Sequence, residues 1–226
     1  LYSVESLLQL MIYTIITAIL LHLNAGLLIQ PEPDTTDQNT NVNSVTDTVS
    51  NSQKLEIALV RVEGTISPPV TNYIKRGMDR ARKMDAQAFI IELDTPGGLL
   101  KSTKNIVQAM LDADDLPVVV YVSPEGASAA SAGTFITMAA HVATMAPTTN
   151  IGAASPVQMS PGGGSGQTDT VMQKKIFNYS ESYIETIANR RGRNAEWAIS
   201  AVRDGESITA EEAVEINVID FIAENR

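Results

Sequence analysis

From Lys54 onward, short β-rich runs alternate with longer stretches of helical spacing, and this alternation restricts the fold more than any other feature of the chain. Residues 55–62 are β-rich and stop at Gly64; residues 68–84 then set Val70, Ile74, Met78 and Ala81 at helical spacing. A second apolar run, 88–93, is cut by Asp94-Thr95-Pro96-Gly97-Gly98, after which 99–113 return to helical spacing through Leu100, Ile106, Val107, Met110 and Leu111. A third run, 117–122, passes through a Pro124-Glu125-Gly126 turn into the stretch holding Ser131. Strand, helix, strand, helix, strand requires crossover connections, so the expectation is an α/β domain with parallel strands.

The remainder of this region reads as a short strand and turn at 145–151, a glycine-rich loop at 160–166, and a long helix at 171–190. A helix capped by Asn194 follows at 194–202, then another at 209–214 opened by a Thr209-x-x-Glu212 box, and a closing strand at 218–222. Residues 54–226 are therefore expected to form one domain. Residues 7–29 are mostly apolar and long enough to cross a bilayer by the ~20-residue rule, so 1–29 is expected to be a signal peptide or membrane anchor in helical form. Residues 30–53 hold Thr, Asn, Asp, Ser and Gln with scarcely an apolar side chain, the composition of a disordered polar linker. That layout belongs to an exported or membrane-associated protein.

Composition narrows the chemistry. A net charge of −10 with no basic stripe argues against nucleic-acid binding. There is no Cys, which removes thiolate nucleophiles and zinc-thiolate sites, and His22 and His141 are too few for a His-based metal site. No metal or other cofactor is expected.

Ser131 lies among Ala and Gly where a strand-like run gives way to a helix-forming one. Such a junction can present a hydroxyl to a cleft beside its backbone amides, although small residues there equally serve close packing. A nucleophilic serine needs a base. If the stretch after Ser131 is helical, His141 stands roughly 15 Å further along the axis, too far to share a proton, and His22 lies in the apolar segment. A lysine is the remaining base. The 171–190 helix carries an apolar stripe of Met172, Ile176, Tyr179, Tyr183 and Ile187, and Lys175 borders it while Lys174 lies on the wetter side. A lysine acts as a base only when neutral, which partial burial favours, so Lys175 is the better candidate; a lysine snorkelling at a helix edge has the same pattern. Gly98 opens a helix after a buried strand, so its amide and that of Ala132 could form a two-donor oxyanion hole, or the glycine pair could be a plain turn. Asp94 reads as a turn cap, Ser128 as a packing or hydrogen-bonding residue, Tyr179 and Tyr183 as core-facing aromatics and Trp197 as a packing anchor.

Four segments in order carry a resemblance: Asp94 to Gly98 (DTPGG), Gly126 to Thr134 (GASAASAGT), Met145 to Pro156 (MAPTTNIGAASP) and Lys175 to Tyr179 (KIFNY). Together they resemble the NfeD family of membrane-bound, ClpP-class serine proteases, over roughly residues 55–226. The resemblance implies the ClpP/crotonase fold of stacked ββα units and a Ser-Lys dyad. By motif position Ser131 is then the nucleophile, Lys175 the base, and Gly98 with Ala132 the oxyanion donors. It further implies homo-oligomers, a protease domain on the extracytoplasmic (periplasmic) side, and substrates among hydrophobic segments of membrane proteins, with a stomatin-like partner. Longer members continue into transmembrane helices and a small OB-type barrel; ending at Arg226, this chain is expected to be a short form or a fragment.

The leading expectation is a membrane-associated serine endopeptidase. The alternatives are a signal-peptide peptidase and a catalytically silent assembly factor that binds a membrane partner through the same cleft. An acyl-CoA enzyme of the crotonase type shares the two-amide hole but is disfavoured, because no acidic pair accompanies that hole in the sequence.

Overall fold

The computed structural model describes residues 56–156 and 170–224. The expectations for the apolar segment, the polar linker, the glycine-rich loop and His22 lie outside them. Five parallel strands form the main sheet in the order β1-β2-β3-β5-β8: β1 (Ile57–Glu63), β2 (Ala88–Asp94), β3 (Val118–Val122), β5 (Val142–Met145) and β8 (Phe221–Ile222). A smaller sheet joins β4 (Ser128–Ala130), β6 (Asn150–Gly152) and β7 (Ser207–Thr209), with β4 parallel and β7 antiparallel to β6.

Six helices complete the described residues: α1 (Pro68–Lys83), α2 (Leu100–Leu111), α3 (Ala132–Ala139), α4 (Thr170–Arg191), α5 (Ala195–Arg203) and α6 (Ala210–Glu215). Local chemistry accounts for their ends. Prolines occupy the first positions of α1, where a missing N–H costs nothing, and Arg80, Arg82 and Lys83 face its negative C-terminal pole. The Asn194 side chain accepts from the Trp197 N–H at the start of α5, and Thr209 and Glu212 close a reciprocal capping box on α6. Trp197 is buried, as its reading as a packing anchor requires.

One face of the main sheet makes the core. Val60 and Val62, Phe89, Ile91 and Leu93, Val118, Val120 and Val122, and Ala143 with Met145 point into it, against Ile74 and Met78 of α1, Ile106 and Met110 of α2 and the fully buried α3. On the other face Leu59, Ile90, Val119 and Val142 stand in register across four strands, with Leu59 exposed.

The connections show how the two sheets relate. After each long strand the chain makes a short extended segment that pairs with its counterpart in the next unit, and then a helix. Ile66 bridges Gly98, Thr95 bridges Ala129, and β4 pairs β6, all in parallel. The strand and turn expected at 145–151 is therefore two strands, β5 ending in the main sheet and β6 belonging to the smaller one.

Candidate active site

Ser131 sits between the last residue of β4 and the first of α3, with φ 51° and ψ −106°. A non-glycine residue in that region stores roughly 1–3 kcal/mol of strain, so its surroundings must hold it there. Three bonds do so. The Ser131 N–H donates to the Gly152 carbonyl at 2.9 Å, the Thr134 N–H donates to the Ser131 carbonyl at 3.0 Å, and the buried Thr134 hydroxyl lies 2.8 Å from the Gly152 carbonyl and 3.0 Å from that of Ala129. The Ser131 hydroxyl itself makes no hydrogen bond among the described residues and is partly exposed.

The Asp94 to Gly98 loop is laced to β4. Thr95 N–H donates to Ser128 O at 2.7 Å and Ala130 N–H to Thr95 O at 3.0 Å, while an Asp94 carboxylate oxygen accepts from the Ser128 N–H at 3.0 Å. The Asp94 side chain thus ties the loop to β4 rather than capping its own turn, which was the expectation. Ser128 also bonds through its hydroxyl to the Asn150 side chain. The Thr95 hydroxyl accepts from the Gly97 N–H at 3.0 Å and donates to the Gly97 carbonyl at 3.1 Å, closing the Pro96-Gly97 turn on itself.

The result sets Gly97 against the serine and Gly98 against the neighbouring extended segment. Gly97, at φ 125°, lies so close that a Cβ there would stand 2.8 Å from the Ser131 Cβ. Gly98 runs against the Ile66 backbone, where a Cβ would come within 2.1 Å of the Ile66 carbonyl oxygen. The neighbours of Gly98 make the bonds to Ile66, through Gly97 O and the Leu99 N–H, so the Gly98 N–H faces away from Ile66. Neither that N–H nor the Ala132 N–H, in the first turn of α3, has an acceptor among the described residues. A free hydroxyl on a strained junction and free backbone donors are the groups from which an oxyanion site is built.

Lys175 is not joined to that group. It is exposed on α4, and no hydrogen bond links it to Ser131 among the described residues. The stripe it was expected to border is covered only in its C-terminal part: Ile187 is buried, whereas Met172 is 51% and Tyr179 42% exposed. Tyr179 is therefore not a core residue. The periodicity is correct, but the first turns of α4 extend past the part of the core that could cover them. Tyr183 is half-buried, and burial raises its phenol to about 12, with Tyr179 adding to the shift.

His141 lies at the opposite, amino-terminal end of the strands. Its Nδ1 accepts from the Val118 N–H at 3.1 Å, and burial first, with Arg191 nearby, lowers its pKa to about 4. It is neutral and structural there, remote from Ser131. A cleft of about 900 Å³ lined by Arg61, Glu63, Glu92, Asp94, Tyr121 and Glu125 opens on the uncovered sheet face, and Ser131 is not on its wall. Its lining is dominated by carboxylates and contains no nucleophile paired with a base. No group of three or more His, Cys, Asp or Glu fit to hold a metal ion occurs among the described residues.

Thr95, Thr134 and Gly152 were not singled out from the sequence. Thr134, one helical turn beyond Ser131, carried a local signal as a hydroxyl able to bond back to a carbonyl; Gly152 carried none, because only the pairing of β4 with β6 brings it near.

The fold and this junction define an α/β domain with a parallel sheet, built like that of known membrane proteases. A solved serine-to-alanine variant of 1510-N, a membrane-bound stomatin-specific protease, is 38% identical and superposes with a TM-score of 0.70 over 76% of this chain and 81% of that one. A lysine-to-alanine variant of the same protease in complex with a substrate peptide is 37% identical, with a TM-score of 0.70 over 76% and 77% of the two chains. The family model for the NfeD1b N-terminal domain matches residues 56–224, and the chain belongs to that family. The membrane-bound protease PH1510 of Pyrococcus horikoshii is 38% identical over 169 residues, which are 74% of this chain and 37% of the longer protein. Among the described residues no helix is long and apolar enough to cross a membrane.

Proposed function

We propose that this chain carries the protease domain of a membrane-associated serine endopeptidase with a ClpP/crotonase-like fold and a Ser131-Lys175 dyad. The observation that carries the reading is the free Ser131 hydroxyl beside the two unpaired N–H groups of Gly98 and Ala132. Neutral Lys175 takes the proton of the Ser131 hydroxyl as its oxygen attacks the scissile carbonyl, and the negative charge that develops is held by the two N–H donors. The ammonium then gives its proton to the leaving amine. Water, deprotonated by the same lysine, hydrolyses the acyl-enzyme and regenerates Ser131. Because Lys175 stands on an exposed stretch of helix, the reading places its approach to Ser131 in the substrate-bound or assembled state.

The substrates in this reading are hydrophobic segments of membrane proteins, a stomatin-like protein among them, by analogy with the substrate named for 1510-N. Residues 1–29 would bring the domain to the membrane on the extracytoplasmic side, and the protein would work as a homo-oligomer. The test is turnover of apolar peptides by wild type, Ser131→Ala and Lys175→Ala; wild-type rates in either variant would remove the dyad. One observation favours a second reading, a catalytically silent assembly factor: Lys175 is exposed and makes no hydrogen bond to Ser131 among the described residues. A serine that resists fluorophosphonate under conditions where the protein binds apolar peptides would support that reading instead.

A further inference from the structure

Three aromatic rings and one ammonium group connect the elements that carry Ser131, Lys175 and Gly98. Phe135 lies one helical turn after Ser131, and Tyr179 one turn after Lys175. Phe135 of α3 stacks on Tyr183 of α4 with ring centres 5.9 Å apart and planes 22° apart. Tyr183 in turn stacks on Tyr179 at 5.9 Å and 15°. Both separations fall in the range where aromatic pairs attract. Over the end of the stack stands Lys104 of α2, its ammonium 4.6 Å from the centre of the Tyr179 ring and 5.7 Å from that of Tyr183. This is cation–π geometry, and Lys104 forms no ion pair among the described residues.

The position of this stack along α4 matters. Tyr183 is the most N-terminal apolar side chain of α4 packed against the main core; before it the helix exposes Tyr179, Met172 and Val171. The direction in which α4 presents Lys175 is therefore set where Tyr179 and Tyr183 are held. They are held by α3, which begins just after Ser131, and by α2, which begins just after Gly98.

We propose that Lys104, Tyr179, Tyr183 and Phe135 form an alignment clamp that fixes the helix bearing Lys175 relative to Ser131 and the Gly98 loop. These are positioning residues, acting through Lys175 rather than on substrate, and the inference rests on the dyad reading above. Small displacements of a reacting group cost orders of magnitude in rate, so loosening the clamp lowers kcat while leaving substrate capture unchanged.

The experiment compares Lys104→Met, Lys104→Arg, Tyr183→Leu and Tyr183→Phe in the full chain, measuring kcat and KM on an apolar peptide, the rate of fluorophosphonate labelling, and Tm. The expected result is a fall in kcat and labelling rate of ~10-fold or more for Tyr183→Leu and about 5-fold for Lys104→Met, with KM within about 2-fold. Lys104→Arg keeps the cation and Tyr183→Phe keeps the ring, so both stay within about 2-fold of wild type. If Tyr183→Leu fails to fold, Lys104→Met at unchanged Tm decides. Wild-type kcat in Lys104→Met, or an equal loss in Lys104→Arg, overturns the clamp. Lys175→Ala in the same assay separates the two claims: full activity there removes the dyad itself, whereas an inactive Lys175→Ala beside a fully active Lys104→Met removes only the clamp.

Discussion

A β-carbon on Gly97 would stand 2.8 Å from the Cβ of Ser131 and 3.2 Å from its hydroxyl oxygen. The glycine and the serine, distant in sequence, share one contact surface, held by the ladder that joins Thr95 to Ala129.

Gly97→Ala is accordingly expected to displace Ser131 and to be strained by φ 125° as well. Activity should fall by ~100-fold or more, as for other small misplacements of reacting groups. Stability should fall by about 1–3 kcal/mol, as for strained backbone. Denaturant midpoints measured beside peptide turnover check both.

Ser131 pays for its exposure with an unfavourable backbone, φ 51° and ψ −106°, a conformation glycine adopts without a side-chain clash. Both Ser131→Gly and Ser131→Ala should abolish turnover, but the glycine variant should be the more stable by about 1 kcal/mol, the strain relieved less the extra entropy of an unfolded glycine. Urea unfolding of the two variants gives the difference directly.

Thr134→Val removes the hydroxyl that lies against the Gly152 and Ala129 carbonyls and keeps the volume. A loss of ~1–2 kcal/mol is expected from a buried hydrogen bond, together with a several-fold slower labelling of Ser131. Thermal unfolding and labelling kinetics on the same sample provide the check.

His141 gives the fold an acid-sensitive element away from the site. Its folded pKa of about 4 lies below the ordinary 6.5, so the unfolded chain binds the proton more readily. The stability it contributes is complete above pH 6.5 and is lost as pH falls through about 4. His141→Asn, whose side-chain carbonyl can still accept from the Val118 N–H, should flatten that part of a stability–pH curve measured by chemical denaturation.

The long strands and helices were legible because their signals are local: apolar runs for β1 to β3, helical spacing for α1 and α2, and side-chain caps at Asn194 and Thr209. The small sheet was not. Its strands are three residues each, rich in Ser, Ala, Asn and Gly, and they are extended only because a neighbouring unit pairs with them. At the site, the strand-to-helix junctions pointed to Ser131, Ala132 and Gly98, and the fold sets Gly97, the neighbour of Gly98, against Ser131. The sequence pattern overstated the burial of Lys175, since periodicity reveals which face of a helix is apolar and not how far along that face the core reaches. The Tyr179-Tyr183 pair is legible as an i,i+4 spacing on one helix, but its stacking on Phe135 depends on two helices meeting and has no local signature.

The most direct measurement is mass spectrometry of the peptide labelled by a fluorophosphonate probe, with wild type, Gly97→Ala and Lys175→Ala treated in parallel. Stoichiometric modification of Ser131 in the wild type, with labelling slowed ~100-fold or more in both variants, is the expected result. An unmodified Ser131 in a folded wild-type protein, or labelling of Lys175→Ala at the wild-type rate, would contradict the Ser131-Lys175 mechanism.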